Sequence, residues 1–191
     1  MKSKAAITLL AFVQAVIGFE WVRAGYEKVS DAAFISGMAQ TLGVFAGKNP
    51  TGWYKDLLTG IAVPNATIFG WLVAYGEFFA GVALLVTAAF YLTQLYVYQL
   101  RDRFTPVTNS AVALVALIGG AFMSINFWFA AGWLSVSTDS VNLVMALMQV
   151  VLAVATIALL AVVNKPTNVW DEIFTPEPKT KVFEREHELV R

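Results

Sequence analysis

The chain has 191 residues, no cysteine and one histidine, His187. Without thiols it cannot form a disulfide, an iron–sulfur cluster, a thiolate metal site or a c-type haem attachment. A single histidine excludes a bis-histidine haem held within one chain. No covalently bound cofactor is expected, and any electrons handled here would travel on a mobile carrier or a partner subunit. Charge is scarce as well. Charged residues make up 14%, with 13 basic side chains balanced by 13 acidic ones. That leaves no basic field, so nucleic acid is not an expected partner. What fills the chain is apolar: 58% hydrophobic residues, above the range of soluble globular domains.

The apolar residues fall in four runs of the length that crosses a bilayer, roughly 20 residues. They cover about Ala5–Val22, Ala66–Leu92, Ala111–Leu134 and Val141–Val163. The first follows Lys2 and Lys4 but lacks a small-residue cleavage site before Glu20 and Arg23, so an uncleaved span is expected rather than a signal peptide. Pro64 and Asn65 open the second, where Pro suits a first helical turn and Asn a cap. Gly76, Ala80 and Gly81, and later Gly119 and Gly120, offer small faces for close helix packing. The tryptophans and tyrosines, Trp21 among them, are expected mostly as interfacial anchors.

Between spans one and two the pattern changes. Asp31 can cap a helix whose Phe34, Ile35, Met38, Leu42 and Phe45 form one stripe. After the turn Gly47–Gly52, Trp53, Leu57, Leu58 and Ile61 form a second. Both pieces are too short and too polar to span. They are expected along the membrane surface or folded over the bundle. The fold expected is therefore all-α, an integral membrane four-helix bundle with amphipathic interfacial helices between helices 1 and 2. Residues 1–164 would be the four-span domain and 165–191 a charged cytoplasmic tail. Nine Lys and Arg lie in the N-terminus, the second loop and the tail, against four in the first and third loops. Positive charge favours the cytoplasm, which puts both termini there, in a multi-pass protein of the cell's inner membrane.

The candidate chemistry sits where charge meets the apolar runs. Glu20, Arg23, Glu27 and Lys28 end the first span, and Glu20 and Arg23 share a helical face. Glu77 lies inside the second span, roughly 20 Å below its start at 1.5 Å per residue. An isolated carboxylate there costs several kcal/mol. It must be protonated, beside water, or paired with a cation such as Arg23 or Lys28, whose long stems can reach it. Two readings stay open: a structural ion pair that fixes helix register, or a polar pocket for a quinone head group or a small anion. Asn126 and Gln149 would extend such a pocket or, as such residues commonly do, hydrogen-bond between helices.

The segment Arg23-Ala-Gly-Tyr-Glu-Lys28 resembles the R-x-x-G-x-x-K type ending of the first helix in the DoxX/DoxD family, with Arg23 one residue nearer the glycine. Gly76-Glu77 followed by Gly81 is similar to that family's glycine-flanked glutamate, and Ala131-Gly132 through Asp139 to its last loop. The resemblance covers about Ala5–Val163. It implies a membrane subunit of a quinone-linked system, of the kind found in thiosulfate:quinone oxidoreductase or beside a terminal quinol oxidase. Arg23 and Lys28 would then face a quinone or an anion such as thiosulfate, and Glu77 would pair with them or exchange a proton. The competing expectation is an accessory subunit of a larger respiratory or photosynthetic membrane complex, in contact with lipid and partner subunits. A small transporter ranks last, since the sequence has no inverted repeat or broken helix pair.

Overall fold

In a computed structural model, residues 2–98, 106–131 and 139–163 are described. They are helical apart from short turns, and no strand occurs among them. Six helices follow one another: α1 Lys2–Ser30, α2 Ala32–Lys48, α3 Gly52–Leu57, α4 Ala66–Thr93, α5 Pro106–Ala131 and α6 Asp139–Val163. A π turn, Leu58–Ala62, continues α3, and another, Gln94–Tyr98, continues α4. Among the described residues, four helices are long and apolar enough to cross a membrane: Ala5–Ser30, Ala66–Tyr96, Thr108–Ala131 and Val141–Ala161. The expected all-α bundle of four membrane spans with two amphipathic helices between the first and second is the architecture found. The segment 165–191, Arg101, Arg103 and residues 132–138, which include most of the third loop, lie outside the described residues.

Helix α1 does not stop at the charges. It runs on to Ser30, and its 29 residues reach about 43 Å at 1.5 Å each. That exceeds a hydrocarbon core of about 30 Å, a difference that helices take up by tilting or by projecting at one end. Asp31 then ends α1 and caps α2, accepting a hydrogen bond from Ala33 N at 2.9 Å. Met38, Leu42 and Ala46 of α2 are buried with Tyr54, Leu58, Ala62, Ala66 and Ala130. The stripe expected on α2 is the one that packs. On the next helix the expected stripe is turned by about one residue: Tyr54, Leu58 and Ala62 face the protein, whereas Trp53, Leu57 and Ile61 are exposed.

These elements form a protein layer around the first turns of α4. Glu77 lies eleven residues after Ala66, inside a helix long and apolar enough to cross a membrane. Asn49 pins the layer to the end of α5, donating to the carbonyl of Phe129 at 2.6 Å. Below it, Ile17, Trp21, Leu84, Leu117 and Leu152 bring α1, α4, α5 and α6 into one core.

Candidate functional site

The site is built on the contact between α1 and α4, the most extensive helix pairing among the described residues. Gly18 and Gly25 of α1 and Gly81 of α4 make it. A Cβ on Gly25 would run into the backbone of Phe78, and one on Gly81 into the backbone of Val22. Only glycine allows two helix backbones this close. The same face of α1 carries Ala11, Gln14 and Lys28, at spacings of three, four, seven and three residues through Gly18 and Gly25. Helical periodicity thus sends Lys28 to α4 along with the glycines.

Glu77 meets that lysine. Lys28 Nζ donates to Glu77 Oε2 at 2.6 Å and to the carbonyl of Ala24 at 3.3 Å. The ammonium also lies 5.8 Å from the centre of the Phe34 ring on α2, within cation–π range. The pair is lopsided: the Glu77 side chain is 2% exposed and that of Lys28 27%. Lys28 is the one hydrogen-bond donor to Glu77 among the described residues.

Arg23 is not the partner of Glu77. It stands two residues before Gly25, which is about 200° around the helix from the α4 contact at 100° per residue. There it bonds Glu20 at 3.1 Å and Glu27 at 2.9 Å on an exposed flank. A chain of three exposed charges adds little to stability. Of the two cations expected within reach of Glu77, Arg23 and Lys28, the lysine is the one that pairs, for reasons of helix phase.

The other candidates are held elsewhere. Gln149 is fully buried. Its Oε1 accepts from the Trp21 indole N–H at 3.2 Å, and its Nε2 donates to Ser124 Oγ and to the Met145 carbonyl. Gly120 leaves the space for that amide, since a Cβ there would strike Gln149 Oε1. Gly119, in contrast, faces open space. Trp21 is consequently a buried tie between α1 and α6, not an interfacial anchor. Asn126 donates to the Phe122 carbonyl in its own helix and lies beside Tyr54, whose hydroxyl donates to the Asn126 carbonyl at 3.0 Å. Burial pushes the Tyr54 phenol up from its ordinary value, so it remains a donor. Among the described residues, Glu20 bonds Arg23 alone. The structure therefore brings Lys28 and Glu77 together and leaves Glu20, Arg23, Asn126 and Gln149 outside that contact.

Three tethers escape a reading of the sequence. Gln14 donates to Thr87 Oγ1 and to the Leu84 carbonyl across the α1–α4 contact. Tyr91 and Ser110 share a buried hydrogen bond at 2.6 Å. Asn49 joins the α2–α3 turn to α5. The signal for Gln14 is its place on the stripe Ala11, Gln14, Gly18, Gly25; nothing in the sequence marks the other two.

In its chemistry, the pair is a buried carboxylate whose cation remains partly open to the surroundings. Such a cation can donate to an arriving oxygen atom, and the carboxylate behind it can hold or release a proton. The chain matches no protein-family model, no curated protein and no solved structure.

Proposed function

We propose that the protein is a DoxX/DoxD-like integral membrane subunit of a quinone-linked respiratory or sulfur-oxidising system. In this reading the Lys28–Glu77 pair meets a quinone head group or a small anion such as thiosulfate. The observation that supports it is the asymmetry of exposure, 2% at the carboxylate against 27% at the ammonium. A charge-assisted donor on the open side suits a quinone carbonyl or an oxyanion. Glu77 behind it suits proton exchange as a quinone gains or loses electrons. The two residues also lie in Arg23–Lys28 and Gly76-Glu77, two of the three segments in which the sequence resembles the family. The distribution of Lys and Arg supports an inner-membrane protein with both termini cytoplasmic and the pair toward the outer face.

The test uses the intact assembly in lipid nanodiscs and a short-chain quinone analogue. Glu77→Gln and Lys28→Met should each lower quinone-dependent turnover and analogue binding, with Arg23→Ala unchanged. A folded Glu77→Gln variant with wild-type turnover and binding would contradict this reading.

A second reading is favoured by one observation. Gln14, Asn49, Gln149, Tyr91 and Ser110 are buried, and each is hydrogen-bonded within the chain. Polar groups that tie the helices to one another in this way suit an accessory subunit of a larger membrane complex. Extraction in mild detergent tests this reading: partner subunits should co-migrate with the chain, and a chain that always migrates alone would contradict it.

A further inference from the structure

The segment 52–62, α3 with its π turn, has an apolar arc wider than its contact with the protein. Six large or small apolar residues fall at paired positions: Trp53 and Tyr54, Leu57 and Leu58, Ile61 and Ala62. The second member of each pair is buried, at 5%, 3% and 2% exposure, and the first is open, at 60%, 39% and 54%. The remaining positions, Gly52, Lys55, Asp56, Thr59 and Gly60, are polar or small and also exposed. One helix thus presents three different surfaces: one to the protein, one apolar and uncovered, one polar.

Neighbouring helix α2 provides the contrast. Its exposed positions are Ala32, Ala33, Ser36, Ala39, Gln40, Thr41, Gly43, Val44, Gly47 and Lys48. Only Val44 among them is large and apolar. Water is a good solvent for that face and a poor one for the open edge of α3. Along the chain, the uncovered apolar positions resume at once in α4 with Ile68, Trp71 and Leu72, inside a helix of membrane-spanning character. The edge of α3 is therefore followed directly by a lipid-facing helix.

We propose that α3 is an interfacial anchor, with Trp53, Leu57 and Ile61 inserted among the acyl chains of the leaflet on its side and α2 held out of the hydrocarbon. The partner of this surface is lipid. Trp53 suits the boundary, because its ring is apolar and its N–H can reach the head groups. Lys55 beside it favours the head-group layer. The three-way division of the helix is what the meeting line of protein, lipid and water requires.

The cysteine-free chain allows a direct test. Single cysteines are placed at Leu57, Ile61, Thr59 and Gln40, nitroxide-labelled, and the protein is reconstituted in phosphatidylethanolamine–phosphatidylglycerol vesicles. Labels at 57 and 61 should collide with oxygen severalfold more than with a water-soluble nickel chelate, and those at 59 and 40 the reverse. All four positions are exposed, so the labels leave the packed face untouched, and 57 and 61 report independently. Nickel access at 57 and 61 equal to that at 59 would overturn the proposal, because the edge would then lie in water. Loss of access to both reagents at 57 and 61 would overturn it too, since a protein surface would then cover the edge.

Discussion

Helix α1 carries two ion-pair systems a few residues apart, and they have opposite characters. Arg23 lies between Glu20 and Glu27 with all three side chains about half exposed, at 54%, 46% and 64%. Lys28 reaches a single carboxylate on another helix, and that carboxylate is almost wholly buried. The residue types are similar, and Arg23 and Lys28 lie five residues apart on one helix. What separates them is helix phase. Lys28 shares its face with Gly18 and Gly25, where α4 comes closest, and Arg23 points away from it. Solvent screening makes the first system a minor contributor, whereas a buried carboxylate that loses its cation is left with most of its desolvation penalty.

The comparison can be broken most forcefully at the buried pair. Lys28→Met should destabilise the protein by about 3–5 kcal/mol, the usual result of removing one partner of a buried pair. The double variant Lys28→Met with Glu77→Leu should recover most of that loss. Equilibrium unfolding in mixed micelles measures both, and a single variant as stable as wild type would show that the carboxylate needs no cation. The glycine contact that brings the pair together comes next. Gly25→Ala should cost about 1–3 kcal/mol or more, because its Cβ meets backbone that cannot turn aside. Gly119→Ala, with open space around it, should be neutral or gain up to about 1 kcal/mol in helix propensity. Equal losses at the two positions would place the tight contact elsewhere. The smallest effect is expected on the exposed flank, where Arg23→Ala should leave the unfolding midpoint unchanged within error.

Much of the architecture was legible before any coordinates. Four apolar runs of spanning length have few other uses, and the Asp31 cap and the stripe from Phe34 to Phe45 follow from spacing alone. The candidate site was legible only as a set of charges. Which cation reaches Glu77 depends on rotation about the axis of α1, and composition does not carry that angle. The stripe Ala11, Gln14, Gly18, Gly25 does carry it, and Lys28 lies on that stripe. Trp21 is misread for a related reason: an indole at a span's end suits an interface, but Gln149 on a distant helix supplies a buried acceptor. The shift of the α3 stripe reflects an apolar arc of six positions, only half of which the protein covers.

A double-mutant cycle on unfolding stability tests the central claim most directly, with Glu77→Leu combined in turn with Lys28→Met and with Arg23→Ala. The account predicts strong coupling between positions 28 and 77 and additive effects for 23 and 77. Strong coupling of Glu77 to Arg23, with Lys28 additive, would contradict it.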